Sequence, residues 1–78
     1  MKCSVNDLRA KEVINVTDGA RLGYVSDVEI ELDTGRITAL IVPGTYKFMG
    51  FLGREDDIVI SWEKIKKIGD DVIIIDVN

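Results

Sequence analysis

Apolar residues fall at every second position over much of this chain. The clearest run is 21–33, where Val28, Ile30 and Leu32 alternate with Asp27, Glu29 and Glu31. A period of two puts one set against a core and the other in water, so the run predicts a half-buried strand with an acidic outer face. Residues 11–16, Arg36–Val42, 58–61 and 72–77 read as further strands. Turn formers separate them: Thr17-Asp18-Gly19-Ala20, Asp33-Thr34-Gly35, Pro43-Gly44 and Gly69-Asp70-Asp71. Asp7 follows Ser4 by three residues, the spacing of a capping box, which predicts one short helical turn carrying Val5 and Leu8. Trp62-Glu63-Lys64-Ile65 reads as a helical or tight turn leading into 66–68. The alternation fails over 45–57, a loop whose length alone marks it for function. Short strands joined by tight turns predict an all-β fold, a small barrel or sandwich, in one domain spanning 1–78.

Two of the strands are apolar on both sides. In Arg36–Val42, Ile37, Ala39 and Ile41 share one face, and Leu40 and Val42 share the other. In the last strand Ile73 and Ile75 oppose Val72 and Ile74. A strand that is apolar on both faces is buried on both faces, whereas a small barrel has one inside. The second face therefore predicts self-association as a homodimer, with Leu40, Val42, Ile73 and Ile75 as the contact residues, the alternative being that loops of the same chain cover it. Length sharpens this expectation. Ordering 78 residues costs about 1.5 kcal/mol each, which a core of this size barely offsets.

Charge narrows the function classes. Ten Lys and Arg against fourteen Asp and Glu give a net charge of −4, the wrong sign for bulk attraction to nucleic acid. There is no histidine, so the commonest general base and metal ligand is missing. The single cysteine, Cys3, has no partner for an internal disulfide, has no activating histidine, and fits a reducing, cytoplasmic setting. No targeting segment or membrane span is expected, because the longest uncharged stretch, 37–46, is short and broken by Pro43 and Gly44.

Each remaining candidate has a plainer structural reading beside it. Glu55, Asp56 and Asp57 with Asp70 and Asp71 could gather a divalent cation, but they lack a recognisable ligand spacing and read as a solvated loop beside a turn. Asp18-Gly19-Ala20-Arg21-Leu22-Gly23 lacks the Lys-Ser/Thr of a phosphate loop and reads as a turn, with Arg21 free to pair with a carboxylate. Asp27, Glu29 and Glu31 share a face at a spacing open to acid–base work, yet nothing separates them chemically. Lys64, Lys66 and Lys67 around Trp62 form a modest nucleic-acid footprint, set against a core role for Trp62 beside Ile65 and Ile68. The loop concentrates Tyr46, Phe48, Met49, Phe51 and Leu52, the residue types that anchor protein interfaces, with Arg54 and Glu55 as polar rim contacts. Its alternative is a plug over the open end of the core. No cofactor, metal or catalytic group is expected.

The order and spacing of several segments add a resemblance. Asp18-Gly19-Ala20-Arg21-Leu22-Gly23, Asp33-Thr34-Gly35-Arg36-Ile37, Gly53-Arg54-Glu55-Asp56-Asp57-Ile58-Val59-Ile60 and the stretch from Trp62 to Ile73 together resemble the PRC-barrel family. Within it they are most similar to the short sporulation-associated YlmC/YmxH group. The resemblance runs from Ser4-Val5-Asn6-Asp7-Leu8 to the end of the sequence. It implies a small, highly bent β-barrel that is non-enzymatic and serves docking or assembly, with a link to sporulation. A similar domain forms the second half of the ribosome maturation factor RimM, which implies the competing class, an RNA- or ribosome-associated module. The sequence lacks that factor's first, RNA-associated domain. It also has Ser61 where many of the short group have proline. The expectation is an adaptor that binds a protein partner, as yet unidentified, through the aromatic loop.

Overall fold

Seven short strands, one helical turn and one 3-10 turn account for the regular structure in the computed structural model, which describes residues 2–44 and 57–77. Helix α1, Val5–Arg9, begins at the expected capping box. The Ser4 hydroxyl accepts from the Asp7 N–H at 3.0 Å, and the Asp7 carboxylate accepts from the Ser4 N–H at 2.9 Å. These two bonds satisfy donors that a helix start otherwise leaves open. One side chain of this turn, Leu8, is buried and reaches the core.

The strands form two sheets. The first has the order β2-β1-β7-β6, built from β1 Glu12–Asn15, β2 Arg21–Tyr24, β6 Ile65–Ile68 and β7 Val72–Ile75. The second has the order β3-β4-β5, built from β3 Asp27–Glu31, β4 Arg36–Val42 and β5 Ile58–Ser61. Every pairing is antiparallel except one. Strands β1 and β7, from opposite ends of the chain, run parallel with Glu12 opposite Val72 and Asn15 opposite Ile75. The two sheets pack around a shared interior, and the described strands are not closed into a barrel. The expected bent, barrel-like wrapping is thus realised as two short sheets.

The run expected as one strand over 21–33 is two strands in different sheets. Val25 turns into the core between them, and Ser26 anchors the crossover by donating its N–H to the Ile41 carbonyl at 2.8 Å. Alternation survives on each side of the bend, so the sequence pattern alone does not reveal the change of sheet. The buried face also thins outward. Leu32 lies past the end of β3 in the hairpin turn and is 87% exposed. That turn closes through the Gly35 N–H on the Glu31 carbonyl at 2.8 Å, with Gly35 at φ +74°. Gly23 is likewise held in the left-handed region, at φ +115°. A Cβ there would make ordinary contact, 3.6 Å, with a methyl of Val42 across the sheets, so the strain a side chain would meet comes from the backbone alone.

Val13, Ile73 and Ile75 from the first sheet meet Leu40, Val42 and Ile60 from the second, with Leu8 and Val25 completing the core. Among these are the four residues assigned to self-association. Leu40, Val42, Ile73 and Ile75 have no exposed surface in the single chain, so a second subunit cannot reach them. The physical reason is register. Alternation says which side chains share a face, but pairing with Val13 and Ile60 decides which face turns inward. The expected burial on both sides of β4 is present, since Ala39 and Ile41 are also buried, and one chain supplies it.

One polar side chain is buried among the described residues, that of Asn15. Its Nδ2 donates to Asp18 Oδ1 at 3.1 Å, and its Oδ1 accepts from the Val77 N–H at 3.2 Å. Its backbone N–H donates to the Ala20 carbonyl at 2.9 Å, and its carbonyl accepts from the Gly19 N–H at 2.8 Å. One residue thus holds the end of β1, the following turn and the strand-exit segment after β7. Replacing it strands the Val77 N–H in a partly buried position. Asn15→Ala is therefore expected to lower stability by about 1–3 kcal/mol, read as a shift in the urea midpoint. An unchanged midpoint would show that the clamp contributes nothing.

A pH prediction follows from α1. The Ser4 backbone N–H, and after it the Ser4 hydroxyl, hold the Asp7 carboxyl below its ordinary value of 3.8. A depressed carboxyl adds stability above its unfolded value, and that contribution disappears as pH falls through the folded value. The capped turn should therefore fray only as pH falls below 3.8 and on through the lowered folded value. Asp7→Asn should remove this part of the acid response, as followed by the amide shifts of 5–9.

Candidate functional site

The turn over 18–23 is built for shape. Asp18 Oδ1 accepts from the Ala20 N–H at 2.9 Å as well as from Asn15, so the carboxylate is occupied by the turn itself. Arg21 does reach a carboxylate, with Nη1 3.9 Å from Glu12 Oε1, and its side chain remains 73% exposed. A pair this long and this wet contributes little. Two hydrogen bonds within the turn and one loose ion pair leave no convergent set of donors for a phosphate.

The carboxylates are spread out. Asp27, Glu29 and Glu31 line β3 and are exposed, as expected for a wet acidic face. Asp70 and Asp71 lie in the turn before β7, where the Asp70 carbonyl accepts from Lys11 Nζ at 2.8 Å. Asp57 is exposed at the start of β5, while Glu55 and Asp56 lie outside the described residues. Among the described residues no group of three Asp, Glu, His or Cys side chains converges on a metal position. Cys3 is exposed, with its Sγ 3.7 Å from the Ser4 carbonyl.

The surface around Trp62 departs from the core role weighed for it. Trp62 opens the 3-10 turn Trp62–Lys64 with 38% of its surface exposed. Ile65 and Ile68 pack against the core without it being buried beside them. Lys64, Lys66 and Lys67 are all exposed on the same short stretch. The lysines are held there by two features. The Asp76 N–H donates to the Lys64 carbonyl at 2.9 Å, and the register of β6 against β7 shifts between Ile65 and Lys67. A shift of this kind leaves the extra residue, Lys66, without a partner in the β6–β7 ladder.

Tyr46, Phe48, Met49, Phe51, Leu52, Arg54 and Glu55, the expected partner-binding residues, all lie outside the described residues. Two features of the described apolar surface stand out, one on an edge strand and one at the centre of the first sheet. Val59 on β5 is 58% exposed, opposite the buried Ile41 of β4. Ile14 and Ile74 are neighbours across the parallel pair, half-buried, with Arg21 and Lys67 at the two ends of their row. Sequence alternation names these residues. It does not mark Val59 as exposed, because Ile58-Val59-Ile60 reads as uniformly apolar and only pairing shows which member faces out.

The family model for the PRC-barrel domain matches residues 3–78. The chain belongs to the PRC-barrel domain family. This PRC-barrel chain is 43% identical over 72 residues to the Bacillus subtilis protein named "Probable sporulation protein YlmC", an alignment covering 92% of the chain and 89% of that relative. It is 40% identical over 75 residues to YmxH of the same organism, covering 94% of the chain and 87% of that relative. A protein of Clostridium acetobutylicum is 36% identical over 72 residues, covering 92% and 82%. The resemblance drawn from the segments between Asp18 and Ile73 therefore holds over nearly the whole chain. Among the described residues no helix is long and apolar enough to cross a membrane.

The turn and ion-pair geometry make a prediction at Arg21. Arg21→Ala should change stability by about 0.5 kcal/mol or less. A loss comparable to that expected for Asn15→Ala would show that the Arg21–Glu12 pair is structurally important.

Proposed function

We propose that this PRC-barrel chain is a non-enzymatic interaction module of sporulating cells, working in the cytoplasm as an adaptor for a protein partner. The observation that carries this reading is the 43% identity to the protein named for sporulation, spread over 92% of the chain. The chemistry of the chain supports it, because the described carboxylates are dispersed and hydrated and the turn donors are used internally. Tyr46, Phe48, Met49, Phe51 and Leu52 supply apolar anchors of the kind that dominate protein interfaces, with Arg54 and Glu55 at the rim. Self-association as a homodimer belongs to the same reading, on surfaces other than the enclosed Leu40, Val42, Ile73 and Ile75.

A second reading is favoured by one specific observation, the exposure of Trp62 beside Lys64, Lys66 and Lys67. An exposed aromatic next to cations suits a stacked base and its phosphates. This reading takes the chain as an RNA- or ribosome-associated module.

One experiment separates the two. The tagged chain is used to recover partners from sporulating cells of its own host, with and without nuclease. A Phe48→Ser/Phe51→Ser variant of unchanged thermal unfolding is run in parallel. The adaptor reading expects a partner that survives nuclease, depends little on salt and is lost with the variant. Recovery that disappears with nuclease and falls steeply with salt would replace it with the RNA reading. Spore yield unchanged after loss of the gene would overturn the link to sporulation.

A further inference from the structure

Two sheets leave four open edges among the described strands, β2 and β6 on the first and β3 and β5 on the second. An open edge presents unpaired N–H and carbonyl groups, and proteins blunt such edges with charge, bulges or proline. Three of the four are blunted here. Strand β3 carries Asp27, Glu29 and Glu31. Strand β6 carries Lys66 and Lys67 at a register shift. Strand β2 carries Arg21, pairs through a register shift and contains Gly23 at φ +115°. Strand β5 differs on every count. Its residues Ile58, Val59, Ile60 and Ser61 include no charge and no proline, and they pair with β4 in continuous register. Its outward residue, Val59, is 58% exposed.

The geometry points to β5 as the docking edge for a second copy of this chain, paired antiparallel about a two-fold axis at Val59 so that two three-stranded sheets become one. Charge selects the occupant. In a two-fold contact each residue meets the counterpart of its own sequence. Pairing β3 with itself sets acids against acids, and pairing β6 with itself sets lysines against lysines, both unfavourable across strands. Pairing β5 with itself about Val59 sets Val59 against Val59, Ile58 against Ile60 and Asp57 against Ser61, with no like charges opposed. Alternation then keeps Ile58 and Ile60 on the core side of the joined sheet and Val59 on the outer side next to Ile41. The contact is short, well below the about 1,200 Å² of a stable interface, so the pair forms and separates with chain concentration. Each copy carries −4, so added salt strengthens the pair by screening repulsion between copies. This inference rests on the self-associating part of the proposed function and gives that part its surface.

The test is molar mass by light scattering or sedimentation across a concentration series. It compares the unmodified chain, Val59→Lys, Val59→Glu, an equal mixture of those two variants, and Glu29→Lys. The unmodified chain should rise from 8.7 kDa toward twice that mass. Each Val59 variant alone should remain at one chain, their mixture should recover the pair, and Glu29→Lys on β3, which lowers the repulsion between copies, should pair at least as readily as the parent. Recovery in the mixture also shows that both variants are folded. A parent that stays at one chain at every concentration assigns the edge to some other occupant and overturns both the pair and the self-association it rests on. A parent dimer that persists in Val59→Lys, or a mixture that stays at one chain, overturns the β5 surface while leaving self-association standing.

Discussion

The parallel pairing of β1 with β7 is the constraint on which the rest of the structure depends. Parallel neighbours cannot be joined by a tight turn, so the chain between them becomes one long crossover. That crossover contains β2, the whole second sheet and β6. Closing it brings Val13 beside Ile73 and creates one side of the core. It also accounts for the unusual role of Asn15. A strand end joined to a distant chain terminus needs partners for its polar groups where water is scarce, and an unmet buried donor or acceptor is expensive. Asn15 meets that need on both sides, toward the Asp18 turn and toward Val77. The Thr17 hydroxyl, donating to Asp76 Oδ1 at 2.7 Å, ties the same two segments again one step further out.

Local structure was largely legible in the sequence, because its causes are local. The Ser4–Asp7 capping box, the glycine turn at Gly35 and the turn at Trp62 follow from neighbouring residues, and they stand where the residues put them. The other strands follow from alternation or short apolar runs in the same way, except β6, Ile65–Ile68, which the sequence presents only as the continuation of the Trp62 turn. The change of sheet at Val25 and Ser26 has no such local cause. It is set by the packing of the second sheet over the first, and the alternation on either side continues as though one strand were present. The parallel β1–β7 pair was hidden for the same reason, since nothing in Glu12–Asn15 announces that its partner lies near the other end of the chain.

The site was legible as residue types and much less so as a surface. Hydrated acids on β3, an internally satisfied turn at Asp18 and an Arg21–carboxylate pair were readable from composition and spacing. Direction was not. A strand apolar on both faces carries no mark of which face is inside, and Leu40, Val42, Ile73 and Ile75 proved to be the inside of the chain itself. Trp62 shows the complementary limit. Its neighbours Ile65 and Ile68 do pack on the core, but Trp62 itself, at the start of the 3-10 turn, keeps part of its surface in water.

Direction and edge position together set what each border of this small domain presents. The interior is filled by a few aliphatic side chains whose exchange for one another changes packing more than recognition. What distinguishes one border of the molecule from another is the chemistry along each edge strand. Acids along β3 and lysines along β6 make those borders repel their own copies and favour surfaces of opposite sign. The uncharged border at β5 discriminates by shape and hydrogen bonding instead. These borders belong to sheets held in register by the β1–β7 closure in the first and by the β3–β4 ladder, extended to Ser26 and Ile41, in the second. A substitution at Asn15 thus bears on these borders even though Asn15 is buried, because it supports the frame that keeps the three kinds of edge apart.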